Sequence, residues 1–263
     1  MFWLYEEELP AGIGIARFGA AHLAYLAGFA SLALCYAFFY RRQDAARRAR
    51  FDRLVGTAVL FFALCEYGVT ALLGHMSRYA LPLHLCSIMF FLVPLHAWTK
   101  SDALRGFLGA LVFHPGIPGA LAALLFPDWL YYPLWNYLSM SSFCSHGLIF
   151  VYGASLLVRL SEACGQARLL RRDLKHSLLF LALGALAMYF FDRAAGTNYW
   201  FMAGPGVDSP FLGVWIRGGT GAYLAALALT ALAVTALWYG LRYLLFVRGR
   251  EVFLRKDGQN DEH

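Results

Sequence analysis

Seven long apolar segments constrain the fold of this chain more than any other feature. A helix of roughly 20 apolar residues spans a bilayer, and the segments cover residues 18–40, 54–73, 81–98, 104–126, 134–158, 177–192 and 218–246. Of the 263 residues, 60% are hydrophobic and only 14% are charged, whereas soluble domains carry about a quarter charged residues. The sequence therefore predicts an all-α, polytopic membrane protein that forms one seven-helix domain over residues 1–263.

Basic residues are divided very unevenly between the predicted loops. Eighteen of the 22 follow the odd-numbered spans, and the others are Arg17, Arg78, Arg193 and Arg217. Cytoplasmic loops are enriched in lysine and arginine, so the pattern predicts an N-terminus outside and a C-terminus in the cytoplasm. We attribute the net charge of +6 to this orientation and to anionic lipids, and we expect no nucleic-acid partner.

Several polar side chains fall inside the apolar spans. At about 1.5 Å of rise per residue, Glu66 and Cys86 lie in the outer half of the membrane, and His114 and His146 lie near its middle. Ionisable groups at such depth are costly and often mark functional sites. The sequence predicts one cavity open toward the outer side. The alternative, scattered hydrogen bonds between helices, does not require a common depth.

The segment Leu81–Ser87 contains both a histidine and a thiol. His84 and Cys86 are two residues apart, about 200° around a helix, so we expect the base for Cys86 to come from another helix. His146 is the candidate, because a cysteine nucleophile needs an adjacent base or a lowered pKa. Glu66 would then orient the imidazole, as in a catalytic triad. The alternative is that His146 and Glu66 only pack and hydrogen-bond between helices.

Three further patterns concern the fourth span, an aromatic segment and the cysteines. The fourth span contains two prolines and two glycines in residues 114–119, which predicts a kink or a break in the helix. The aromatic residues of 129–133 are typical of an interfacial belt. The five cysteines lack metal-ligand spacing, so we predict no metal and no other cofactor, although His75, His84, His146 and Glu66 are ligand types.

Three motifs resemble those of the YwaF-type bacterial integral membrane proteins. They are Leu-Pro-Leu-His-Leu-Cys-Ser at 81–87, Ser-His-Gly at 145–147, and Gly-Thr-Asn-Tyr at 196–199 followed by Pro205. The Trp-Phe-Met at 200–202 departs from the family pattern. The resemblance covers spans two to seven and implies a multi-pass protein of the bacterial cytoplasmic (inner) membrane.

The resemblance also implies a chemistry. The YwaF-type family is similar to a eukaryotic multi-pass acyltransferase that moves acyl chains between phospholipids and uses a membrane cysteine as acyl carrier. It is more distantly similar to androgen-induced membrane hydrolases of fatty-acid esters. By matching motif, the resemblance implies Cys86 as the nucleophile and His146 as its partner.

Two classes of function follow from these observations. The first is an acyltransferase or lipid-ester hydrolase acting on phospholipid acyl chains, in which Cys86, His146 and Glu66 are catalytic. The second is a non-catalytic carrier, transporter or receptor for a small lipid or metabolite in the same cavity. In both classes membrane lipids are the partners, and the predicted substrate-binding residues are His84, Asn136, Asn198, Tyr199 and His114.

Overall fold

All long elements in the described part of the chain are helices, which confirms the all-α prediction. The computed structural model describes residues 1–163, 166–205, 209 and 211–248. Its seven longer helices are α1 (Ala20–Tyr40), α2 (Ala45–Leu72), α3 (Leu85–Trp98), α4 (Asp102–Leu125), α5 (Tyr137–Glu162), α6 (Gln166–Ala195) and α7 (Leu212–Arg242). Cys164 and the predicted cytoplasmic tail beyond residue 248 lie outside the described residues.

Six of these helices are long and apolar enough to cross a membrane, and α3 is shorter. It has 14 residues and begins at Leu85, four residues after the start of the predicted third span. His84 immediately precedes the helix with an extended backbone, φ −62° and ψ 151°. The 200° relation between His84 and Cys86 therefore does not apply, since only Cys86 is helical.

Two helices begin well before their predicted spans. α2 starts at Ala45 and α6 at Gln166, whereas the predicted spans start at residues 54 and 177. The added turns contain arginines, which form helix nearly as readily as apolar residues do. Asp44 caps α2 by accepting a hydrogen bond from the Arg47 backbone N–H at 2.8 Å. Hydropathy indicates where a helix meets lipid, not where its hydrogen bonding begins.

The sequence predicts a kink or a break in the proline- and glycine-rich segment of the fourth helix; the helix is irregular there but continues through the segment, so it is not broken. Val112–Gly116 widens into a π-helix, in which the Ile117 N–H donates to the Val112 carbonyl five residues earlier. Pro115 has no N–H to donate, and the wider turn accommodates this gap within a continuous helix. A Cβ on Gly116 would lie 2.8 Å from Met89 Sδ, so α3 packs closely against this turn.

The chain divides into two compact units, the first Met1–Val158 and the second beginning at Arg159. A core of the first unit connects the N-terminal segment, the end of α4, the loop 126–136 and α5 through Ile15, Leu124, Trp129, Tyr132 and Phe143. In the second unit, a buried ion pair joins α6 and α7, with Arg242 Nη1 2.8 Å from Asp173 Oδ2.

Candidate functional site

One face of α5 carries a line of buried polar side chains through the first unit. Ser139, Ser142 and His146 are spaced by three and four residues and so share this face. Their exposed fractions are 0%, 7% and 5%. Buried polar groups inside an apolar helix are costly unless they are paired or functional, so their partners decide what the face does.

His146 is held in one tautomer by its own helix. Its Nδ1 lies 2.7 Å from the Ser142 carbonyl oxygen. A carbonyl only accepts hydrogen bonds, so Nδ1 carries the proton and Nε2 of the neutral ring is an acceptor. Among the described residues, no hydrogen-bond partner reaches Nε2. The ring is thus fixed in orientation, and its acceptor nitrogen is buried without a described partner.

Trp129 covers the imidazole from the loop between α4 and α5. The two rings stack with centroids 5.0 Å apart and planes 25° apart, and Phe90 of α3 meets the imidazole edge-on at 5.3 Å. Trp129 is only 9% exposed, so its assignment to an interfacial belt is wrong. The cause is tertiary, because the loop folds inward and places Trp129 against Phe143. In the described structure the Trp129 indole N–H has no hydrogen-bond partner.

Glu66 of α2 reaches the serine that holds His146. Its Oε2 lies 3.1 Å from both the Ser141 and the Ser142 hydroxyl oxygens. The Ser142 hydroxyl therefore donates to Glu66, and the Ser142 carbonyl accepts from the imidazole. The hydrogen bond that orients His146 comes from Ser142, where the sequence predicted Glu66.

Cys86 occupies the first turn of α3. Its sulfur lies at the end of the helix where backbone N–H groups have no partner inside the helix. Among the described residues, no hydrogen bond joins Cys86 to a histidine. Asp128, in the loop after α4, is an electrostatic neighbour of Cys86, Glu66 and His146.

Asn136 is fully buried, and its amide is engaged in structure. Its Nδ2 donates to the Met1 and Leu4 carbonyls at 3.1 and 2.8 Å, and its Oδ1 accepts from the Leu138 N–H at 2.9 Å. Asn136 thus caps α5 and fastens the N-terminal segment to it.

Asn198 and Tyr199 belong to the second unit, where they shape the loop after α6. Asn198 donates to the Gly204 carbonyl at 2.8 Å and accepts from the Ala203 N–H at 2.9 Å. The Tyr199 N–H donates to Asp192 Oδ1 at 2.7 Å. The Gly-Thr-Asn-Tyr motif therefore has a structural use, with Gly196 at a positive φ of 65°.

The two remaining predicted residues are His114 and His84. His114 is buried in the π-helical turn of α4, and His84 precedes α3. In the described part of the chain, no three His, Cys, Asp or Glu side chains could hold a metal ion.

Sequence reasoning missed two residues of this region, Ser142 and Trp129. Ser142 lies four residues before His146 on one helix, where its carbonyl can meet the ring, so this spacing could have indicated it. Nothing local distinguishes the buried Trp129 from Trp135, which is 70% exposed in the same loop.

The comparisons with known proteins identify one family. The model of the TMEM164 family matches residues 17–239, which include all the predicted site residues and more than four fifths of the chain. No curated protein and no solved structure matches the chain. With its long apolar helices the chain is a multi-pass membrane protein, and it belongs to the TMEM164 family.

Proposed function

We propose that the protein is a membrane-embedded acyltransferase or lipid-ester hydrolase that acts on phospholipid acyl chains through Cys86 and His146. The observation that carries the proposal is the imidazole of His146, which is buried, fixed in one tautomer and has an acceptor nitrogen without a described partner. Such a nitrogen can take up a proton and return it. Cys86 takes the role of the nucleophile, because a thiol can bond to the carbonyl carbon of an ester when a base accepts its proton.

The proposed reaction has two balanced steps. In the first, the Cys86 sulfur bonds to the carbonyl carbon of a lipid ester, and its proton passes through His146 Nε2 to the departing alcohol oxygen. In the second, an alcohol or water oxygen bonds to the thioester carbon, gives its proton to Nε2, and the sulfur regains that proton as the C–S bond breaks. These steps need a hydrogen bond between Cys86 and His146. Catalytic hydrogen bonds often tighten only when substrate is bound.

The transient oxyanion of each step needs hydrogen-bond donors. The amides of Asn136 and Asn198 are engaged within the fold, so they are poor candidates. We assign the role to the backbone N–H groups in the first turn of α3, because an α-helix leaves these groups without a partner inside the helix. Glu66 supports the site indirectly by holding the Ser142 hydroxyl.

The proposal includes the topology of the chain. We propose a single domain with an N-terminus outside, a C-terminus in the cytoplasm and seven crossings of the bacterial cytoplasmic membrane. α3 would span about 21 Å at 1.5 Å per residue, less than the roughly 30 Å hydrocarbon core. Non-helical residues before Leu85 would complete the crossing. Such backbone is tolerated at membrane depth only inside protein or beside a water-filled cavity, which agrees with a site at Cys86.

The proposal is tested by detecting an acyl-enzyme. The purified protein is incubated with a phospholipid that carries an isotopically labelled acyl chain and is then analysed by peptide mass spectrometry. We expect a thioester on Cys86, and we expect Cys86→Ala to abolish both adduct and turnover. His146→Ala should slow thioester formation, because a cysteine of ordinary pKa is only a few per cent thiolate at pH 7.

Cys144→Ala is the matched control. Cys144 lies two residues before His146 on α5, so it points to a different face of that helix, and its loss should leave the adduct and turnover intact. An adduct on Cys144, or turnover that survives Cys86→Ala, would show that Cys86 is not the nucleophile. Lipid bound without any adduct or turnover would favour the carrier, transporter or receptor function.

A further inference from the structure

Arg53 is a half-buried arginine of α2, one residue before the predicted second span. The central carbon of its guanidinium lies 5.1 Å from the centre of the Trp98 ring, over the face of that ring, which is within the range of a cation–π contact. The Trp98 indole N–H donates to the Thr57 hydroxyl at 3.1 Å. Because Thr57 is also on α2, the same helix carries the guanidinium and fixes the ring on which it rests.

In the described part of the chain, the charge of Arg53 is not balanced by a carboxylate. No described hydrogen-bond partner reaches its Nε, which is shielded from solvent, and no described carboxylate lies at ion-pair distance. Asp52 precedes it in the chain but accepts a hydrogen bond from the Tyr40 hydroxyl of α1 at 2.9 Å. A charge that is partly removed from water needs a partner of opposite charge, so this site favours an anion.

A second guanidinium lies one turn earlier on α2. Arg50 and Arg53 are three residues apart and are therefore neighbours on one face of the helix. Arg50 is exposed. Asp44 is its electrostatic neighbour, but the Asp44 carboxylate lies 3.6 Å from Arg47 Nε. Guanidinium groups donate pairs of hydrogen bonds to phosphate oxygens, so two of them on one face suit a phosphate group.

An exposed apolar face of α3 continues away from the guanidinium groups. Trp98, Leu95 and Phe91 are spaced by three and four residues and so share this face, and their exposed fractions are 55%, 50% and 40%. Tryptophan is typical of the headgroup level of a membrane. A free phosphate ion would leave this apolar surface uncovered, whereas the acyl chain of a lipid would cover it.

We propose that Arg50, Arg53 and Trp98 form a binding site for an anionic phospholipid. Its phosphate lies at the two guanidinium groups, and one acyl chain lies along Leu95 and Phe91. The cationic headgroup of phosphatidylcholine would meet two positive charges here, which disfavours that lipid. The site lies at the opposite end of α3 from the proposed nucleophile, so the inference does not depend on the proposed acyl transfer.

Binding is measured by native mass spectrometry of the full chain with Cys86→Ala, which prevents the proposed turnover. The ligands are dioleoylphosphatidylglycerol and dioleoylphosphatidylcholine, which have the same acyl chains and differ in headgroup charge. We expect phosphatidylglycerol to bind more tightly. Arg53→Gln removes the charge, and we expect it to weaken phosphatidylglycerol binding about tenfold, the effect of losing one hydrogen bond to a charged group.

Arg47→Gln is the matched control, because it removes the same charge from an exposed position of the same helix, where Arg47 faces Asp44. We expect it to leave phosphatidylglycerol binding nearly unchanged. Equal losses in Arg47→Gln and Arg53→Gln would reduce the effect to net charge and overturn the site. Equal binding of the two lipids would also overturn it. Displacement of phosphatidylglycerol by excess inorganic phosphate would overturn the assignment of a lipid.

Thermal unfolding separates lipid binding from a structural role of Arg53. A ligand that binds the folded state raises its stability, so phosphatidylglycerol should stabilise the parent chain more than Arg53→Gln. The same difference between the two chains with and without the lipid would overturn the inference. If Arg53→Gln does not fold, Arg50→Gln replaces it, because Arg50 is exposed. A thioester on Cys86 would test only the acyl transfer.

Discussion

His22 and His146 are both buried histidines, but they differ in how their ring nitrogens are used. The Nδ1 of His22 accepts from the Phe18 N–H at 2.9 Å, so its Nε2 carries the proton and donates to the Leu124 carbonyl at 2.7 Å. The ring thereby joins the N-terminal segment to the end of α4. His146 has only one described hydrogen bond. At the scale of single residues, this difference separates a structural histidine from a candidate catalytic one.

The two histidines should respond differently to removal of their polar atoms. His22→Phe leaves the Phe18 N–H and the Leu124 carbonyl unpaired, at a cost of about 1–3 kcal/mol for each buried group. His146→Phe frees only the Ser142 carbonyl, which also accepts a hydrogen bond within α5. Thermal unfolding of both variants in one detergent should show the larger loss for His22→Phe. The opposite order would contradict this division of roles.

The position of Cys86 depends on how closely α3 approaches α2. A Cβ on Gly56 would lie 3.0 Å from the Ala97 Cβ and 3.2 Å from the Pro94 Cα. Small residues at such contacts allow membrane helices to pack tightly. Because Pro94 is met at its backbone, the contact cannot be relieved by rotating a side chain. At the scale of helices, glycine at residue 56 allows α2 and α3 to approach this closely at Pro94 and Ala97.

Gly56→Leu should therefore force α2 and α3 apart. Overpacking of this kind costs about 1–3 kcal/mol, and it should slow alkylation or acylation of Cys86 by displacing the first turn of α3. Gly68→Leu is the control on the same helix, because a Cβ there meets nothing within 4 Å. That substitution should be neutral, or stabilising by up to about 1 kcal/mol through helix propensity. Equal effects of the two substitutions on unfolding would contradict the close packing at Gly56.

The distribution of basic residues concerns the whole molecule. Reporter fusions after Arg50, Lys100 and Leu170 should all indicate the cytoplasm, because these positions lie in the segments that hold most of the 22 basic residues. The expectation depends on α3 crossing the membrane despite its 14 residues. If α3 does not cross, the fusions before and after it will report opposite sides. Extracytoplasmic signals at two of the three positions would contradict the seven-crossing topology.

The helical class and the membrane location follow from the sequence alone. Both depend on hydropathy summed over about 20 residues, so an error at one residue changes little. The depths of Glu66, Cys86 and His146 in the membrane stay predictions, which rest on the regular rise of a helix. The starts of α2 and α6 could not be predicted from hydropathy, since helix formation continues beyond the apolar segment.

The features that could not be predicted from the sequence depend on contacts between residues that are far apart in the chain. Trp129 and Trp135 lie in one loop, yet only Trp129 is turned inward, against His146 of α5. The partner of the imidazole is the Ser142 carbonyl rather than the Glu66 carboxylate, and α4 passes Pro115 as a π-turn against Met89. Periodicity and composition describe each segment by itself. Which side chains meet depends on how the segments pack, and this is set only when the whole fold forms.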